Sequence, residues 1–179
     1  MNTALPASWR DWIAERRKAL DAAHAPPALD GVLLASDFAF EELRRRPDLL
    51  GLLDGSATVG PPPRADDGDL GTALRRHRRA ESLSIIIDDV LGRDSVERTL
   101  ARATTLAEHC IEIAFAAARA ELVARHGEPR DEEGAVQPLV VYGLGKLGAR
   151  ELNVSSDIDL IAAFPRAGET DGRRSLDNE

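Results

Sequence analysis

Between Asp94 and His126 the chain contains neither glycine nor proline. No other stretch limits the fold as strongly, because a run so free of breakers and so rich in Ala, Leu, Glu and Arg resolves as one continuous helix. Asp94-Ser-Val-Glu97 supplies a start of capping-box form, a side-chain acceptor at the N-cap with a Glu three residues on. Gly127 and Pro129 supply the stop. About 32 residues at 1.5 Å each make a rod of roughly 48 Å. Leu100, Ala103, Ala107, Cys110, Ala114 and Ala117 recur along it every three or four positions. That small-residue stripe predicts close approach of another helix and an architectural role.

Composition extends the helical reading upstream. Aromatic residues make up 4% of the chain, and Lys occurs only at Lys18 and Lys146, the other basic residues being Arg. Trp9, Trp12, Ile13, Arg16 and Leu20 predict a helix from Ser8 to about His24, stopped by Pro26 and Pro27. Val32, Leu33, Phe38, Phe40 and Leu43 predict another from about Leu29 to Arg46, which Leu49–Leu53 continues briefly beyond Pro47. The Gly- and Pro-rich segment 54–69 reads as a surface loop, and a third helix is expected from about Leu70 to Leu91.

The same numbers exclude several functional classes. The 179 residues suit one domain, or a main domain with part of another, and 43% hydrophobic content is enough for a core. The formal charge of −8 disfavours general nucleic-acid binding. A single cysteine excludes an internal disulfide framework and any multi-cysteine metal site. No apolar run approaches the roughly 20 residues of a membrane span, and Met1–Trp12 has no leader pattern. A soluble, cytoplasmic protein is expected. Arg75-Arg76-His77-Arg78-Arg79 could grip phosphate, but charges within a helix fan around the axis, so a solvated face or a dock for an acidic partner is the better reading. Cys110, among apolar neighbours, reads as a buried small hydrophobe rather than a nucleophile.

The composition changes beyond the acidic connector. Pro138–Tyr142 is apolar and β-prone. Gly143-Leu-Gly145-Lys146-Leu-Gly148 follows at once, then Ala149–Asn153, enough for about two helical turns. Ser155-Ser156-Asp157-Ile158-Asp159 leads into a second strand, Leu160–Phe164, ended by Pro165. The three glycines fit G-x-G-x-x-G after a strand, the dinucleotide fingerprint. Against that, a parallel crossover needs about a dozen residues or more. Moreover, the acidic residues stand at the beginning of the second strand, not at its far end. For Asp157 and Asp159 to meet the glycine loop, the two strands should run antiparallel.

A phosphate-handling site accounts for every part. Glycines let the backbone approach phosphate oxygens, and Lys146 adds a point charge. Asp157 and Asp159, two apart in an extended segment, point to one face. Two neighbouring carboxylates repel unless a cation neutralises them. Mg²⁺, hard and oxygen-liganded, is the expected one, and paired metals can serve an in-line displacement at phosphorus.

A glycine loop followed about ten residues later by Asp-apolar-Asp-apolar is the signature of the polymerase-β-like nucleotidyltransferase superfamily. The fuller string GLGKLGARELNVSSDIDL, Gly143 to Leu160, resembles the glutamine synthetase adenylyltransferase/adenylyl-removing family. Ser36–Leu50, Leu74–Arg79 and Gly172–Asn178 are similar as well. The resemblance implies the N-terminal, adenylyl-removing half of a duplicated enzyme. That half takes AMP off a glutamine synthetase tyrosine by phosphorolysis, releasing ADP, while the other half attaches AMP from ATP. It implies a PII-type nitrogen-signalling protein as regulator. Carried over by position, Asp157 and Asp159 are the catalytic Mg²⁺ ligands. Gly143, Gly145, Lys146, Gly148 and Ser156 line the phosphate-binding loop.

The expected architecture is mainly α with a partial α+β nucleotidyltransferase domain: a helical region 1–130, a connector 131–138 and an incomplete catalytic domain 139–179. The family's third carboxylate, from a later strand, has no counterpart here. Glu169, Asp171, Asp177 and Glu179 fall in a polar tail without strand pattern. A truncated form with little activity alone is expected. The alternatives are a non-catalytic helical module binding glutamine synthetase or the signalling protein and, third, a dinucleotide-dependent oxidoreductase.

Overall fold

A computed structural model describes residues 5–64, 66 and 68–177. Its helices are α1 (Ala7–Ala19), α2 (Ala28–Ala35), α3 (Asp37–Arg45), α4 (Leu70–Val90), α5 (Val96–His126) and the short α6 (Gly145–Gly148), with a 3₁₀ segment at Pro47–Leu52. Four short strands follow the long helix: β1 (Pro129–Asp131), β2 (Val140–Gly143), β3 (Leu160–Ala163) and β4 (Gly168–Thr170). The molecule is mainly helical, with two small antiparallel sheets, β2 with β3 and β1 with β4. Among the described residues no helix is long and apolar enough to cross a membrane.

The core follows the helical periodicity at Val32, Leu33 and Leu43, whereas Trp9 and Trp12 of the first helix stay exposed. Leu29, Val32 and Leu33 of α2, Leu43 of α3, Leu49 and Leu53 around the 3₁₀ segment, and Leu83 and Ile87 of α4 form one buried cluster, closed by Ile13 and Leu20. Two predicted boundaries move for local reasons. The first helix ends at Ala19, because Asp21 adopts a left-handed φ of 51°. Arg17 then donates to the carbonyls of Ala22, Ala25 and Pro26 at 3.1, 3.0 and 2.9 Å. The helix expected over 29–46 is two helices. Ser36 is extended (φ −150°, ψ 115°), and its hydroxyl accepts from Ala39 N at 3.1 Å, an N-cap that restarts the chain as α3.

α5 is the predicted rod, 31 residues long, but its cap is shifted by one. Ser95, not Asp94, accepts from the Arg98 amide, and Glu97 hydrogen-bonds back to Ser95, which holds its carboxyl below the usual range. Asp94 instead shares Arg102 with Asp88, tying α5 to α4.

The tail differs most from expectation. Pro129–Asp131, which reaches into the connector, pairs with Gly168–Thr170, so Glu169 lies on a strand after all. Asp171 binds Arg130 and accepts from the Glu128 amide at 2.8 Å. Gly172 N donates to His126 O at the end of α5 at 2.9 Å. Such a sheet has too few residues to show a period, and ion pairs and turn bonds hold it where apolar alternation is lacking.

Candidate functional site

The β2–β3 pair is antiparallel, with Gly143 opposite Leu160 and Tyr142 opposite Ile161. This register brings the end of the first strand to the beginning of the second, the arrangement needed for the Asp segment to meet the glycine bend. One further bond fixes it: Leu144 N donates to Asp159 O at 2.9 Å. The antiparallel pairing also removes the parallel βαβ crossover on which a dinucleotide fold depends.

The bend is tighter than the sequence suggests. Its helical turn occupies Gly145–Gly148 itself and not Ala149–Asn153. Arg150 stops it by adopting a left-handed φ of 59°, with its guanidinium held by Glu108 of α5 at 2.6 Å. Gly148 is required by packing, since a Cβ there would meet the Gly143 carbonyl oxygen at 2.4 Å. Gly145, at φ 52°, has open space around its Cβ position and is the glycine a ligand can approach closely. Leu147 points inward and is buried.

The loop carrying the carboxylates is anchored by residues that sequence reasoning passed over. Leu152 is buried, and its amide donates to the fully buried Thr104 hydroxyl of α5 at 3.2 Å. Asn153 then organises the turn: its Oδ1 accepts from Ser155 N at 3.1 Å, Ser155 Oγ at 3.1 Å and Ser156 Oγ at 2.7 Å. The Ser156 hydroxyl proton is therefore committed within the turn, so its role here is to shape the loop before it can reach a phosphate. The signal for this was legible as Asn-x-Ser-Ser, an Asx-turn pattern.

Asp157 and Asp159 follow in an irregular segment just before β3 and are exposed. Among the described residues neither carboxylate makes a hydrogen bond or ion pair, and the same holds for the Lys146 ammonium. Two carboxylates without a protein partner, on a segment whose backbone is bonded to the glycine bend at Leu144, have the donor chemistry of a magnesium ion, which commonly takes one or two carboxylates and completes its shell with water and substrate phosphate. No cluster of three or more His, Cys, Asp or Glu side chains placed to hold a metal occurs among the described residues. Asp171 and Glu169 serve the β1–β4 sheet instead: Asp171 binds Arg130, and Glu169 accepts from Ser175 Oγ at 3.1 Å. Glu179 lies outside the described residues.

α4 packs against α5 and Ala103 of the predicted small-residue stripe is buried, while the rest of the stripe is half-buried or exposed. Ala103, Ala107, Cys110 and Ala114 line a cavity of about 440 Å³ between α5, α4 and the loop Leu152–Ile158. Cys110 is half-buried, not fully buried, and burial pushes its thiol up from the ordinary value.

Comparison with known sequences identifies the family. Residues 28–179 match the family described as Glutamate-ammonia ligase adenylyltransferase. A protein of Xanthomonas oryzae pv. oryzae (strain MAFF 311018) named bifunctional glutamine synthetase adenylyltransferase/adenylyl-removing enzyme is 44% identical over 189 residues, covering 98% of this chain and 20% of its own length. Proteins of the same name from Stenotrophomonas maltophilia (strain K279a) and Thioalkalivibrio sulfidiphilus (strain HL-EbGR7) are 47% and 44% identical, over 84% and 87% of this chain and 16% and 18% of their own. The chain thus spans a fifth or less of these relatives. With the glycine bend, the Asp pair and the helices from α2 onward inside residues 28–179, the chain belongs to the glutamate-ammonia ligase adenylyltransferase family.

Proposed function

We propose that this chain carries the nucleotide-handling element of an enzyme that regulates glutamine synthetase, and that its reaction is removal of AMP from an adenylylated tyrosine by phosphorolysis. An oxygen of inorganic phosphate attacks the phosphorus of the tyrosyl–AMP ester. The bond from phosphorus to the phenolic oxygen breaks, the phenolate takes up a proton, and ADP leaves. The relatives' names, which join adenylyltransferase to adenylyl-removing enzyme, support the reaction class. The observation that carries the site is the Leu144 N–Asp159 O bond with the Gly143–Leu160 register.

In this reading Asp157 and Asp159 hold Mg²⁺, which would supply charge to offset that developing on the phosphoryl oxygens. Lys146 adds a point charge to the same phosphates, Gly145 admits them to the backbone, and Gly143 and Gly148 let the bend close. Thr104 and Asn153 fix the loop so that the carboxylates need little reordering when substrate arrives. ATP belongs to the separate adenylylating reaction of the other half, in which the tyrosine oxygen bonds to the α-phosphorus and pyrophosphate leaves. A PII-type protein as regulator, the cytoplasm as compartment and the division at 1–130, 131–138 and 139–179 complete the proposal.

Titrating ADP into the chain with and without Mg²⁺ tests the site. Metal-dependent binding that Asp157→Asn and Asp159→Asn each abolish is expected; binding indifferent to metal and to both substitutions would remove the reading. With adenylylated glutamine synthetase, phosphate and Mg²⁺, the chain alone should release little ADP. A second reading, a non-catalytic module docking glutamine synthetase through its helices, is favoured by the lack of a third acidic group at the bend among the described residues. Capture of glutamine synthetase undiminished in the double Asn variant, without nucleotide binding by the parent, would select it.

A further inference from the structure

Arg75, Arg76 and Arg78 of the run on α4 are exposed, as a solvated face requires, but the arginines differ in what they meet. Arg79 is spent on the buried Glu42, with its guanidinium 5.0 Å from the Phe38 ring centroid. Arg75 donates to Thr72 Oγ1 at 2.9 Å, and Arg76 lies toward Asp48. Of the run, Arg78 alone lines the 440 Å³ cavity, together with Ser82, Asn153, Ser156 and Asp157; with Arg79 it also lines a second hollow bounded by Asn153–Ser155. Its charge is felt at Cys110 on the opposite wall. Among the described residues it makes no ion pair or hydrogen bond.

An arginine that lines the same cavity as an uncompensated carboxylate, yet is bonded to nothing, is positioned for an anion that arrives with the cation on that carboxylate. Guanidinium presents a planar fork that matches two phosphate oxygens. We propose that Arg78 is a phosphate-binding residue of this site, contributed by the helical region across the cavity from the Asp157 loop, and that it grips an oxyanion of the phosphate or nucleotide substrate. The proposal rests on the site reading above and extends it to a residue outside the glycine–Asp motif. It also gives the helical region a direct part in substrate binding.

The test uses this chain, Mg²⁺ and two probes, inorganic phosphate and ADP, with affinity read by calorimetry. Arg78→Gln should weaken one or both on the order of tenfold, the scale of one hydrogen bond to a charged group. Arg78→Lys should recover part of the loss, and Arg76→Gln should bind like the parent. Loss confined to phosphate would assign Arg78 to the attacking group, and loss confined to ADP to the nucleotide. Unchanged affinity for both probes in Arg78→Gln overturns the proposal. If Asp157→Asn still abolishes metal-dependent binding, only the arginine's role has failed; if it does not, the site itself has. Phenylglyoxal labelling of the unaltered chain, mapped by mass spectrometry, needs no folded variant: phosphate or ADP should protect Arg78 and not Arg76, and equal labelling with and without both probes overturns the proposal.

Discussion

At the residue scale the bend depends on contacts too short for any side chain. Because a Cβ at position 148 would meet the Gly143 carbonyl oxygen at 2.4 Å, Gly148→Ala must push β2 away from α6. A loss of about 1–3 kcal/mol is expected, the usual cost of overpacking. It should be seen as a lower denaturant midpoint accompanied by weaker ADP binding; wild-type values for both would show that the bend has room to give. Cys110 gives a second prediction. Burial raises its thiol pKa, so less thiolate is present near neutral pH than in an exposed cysteine. Alkylation by iodoacetamide at pH 7.5 should run on the order of tenfold slower in the folded chain than in urea. Equal rates would place the thiol in open solvent.

At the element scale the β1–β4 sheet is held by charge more than by apolar burial. The Arg130 guanidinium hydrogen-bonded to Asp171, together with the Glu128 amide, holds the Asp171 carboxyl below the usual carboxylate range. A carboxyl whose folded value is depressed favours folding above its unfolded pKa, and that contribution is lost as pH falls through the folded value. The tail should therefore loosen below about pH 4 while the α1–α4 core stays closed. Amide exchange at Gly168–Thr170 measured against pH checks this, and Asp171→Asn should abolish the acid dependence there. The same element shows why the tail was illegible in sequence. Three residues on each side carry no readable alternation, and their partners lie some forty positions away, as with Arg130 and Asp171. The α2–α3 break was nearly legible: Ser36 before Asp-Phe-Ala-Phe is an N-cap pattern, outweighed by apolar periodicity running through it.

At the scale of the whole molecule the two ends of the chain differ in how they are finished. The α1–α4 assembly buries its apolar faces, with Leu29, Val32, Leu33 and Leu43 fully enclosed. The β2–β3 hairpin turns Val141 and Leu160 toward α5, yet leaves Tyr142 55% and Ile161 51% exposed on its other face. A two-stranded sheet with open edges and a bare apolar face tends to associate. The isolated chain should accordingly show concentration-dependent association in sedimentation velocity, and Tyr142→Thr with Ile161→Thr should suppress it. A strictly monomeric parent across the tested range would contradict this.

What the amino-acid sequence determined alone is whatever rests on local rules. The absence of breakers from Asp94 to His126 made the long helix inevitable, and periodicity named the core residues Val32, Leu33 and Leu43. A strand, three glycines and two aspartates, spaced as they are, required antiparallel pairing, which β2 and β3 show. What only the tertiary structure decided is where side chains far apart in sequence meet. Thr104 reaches Leu152, Arg130 reaches Asp171, and Arg78 lines the cavity that Asp157 also lines while Arg79, its neighbour, is spent on Glu42. The reason is physical: hydrogen bonding and helix periodicity act within a few residues, whereas the partner of a charge on a helix depends on which elements pack beside that face.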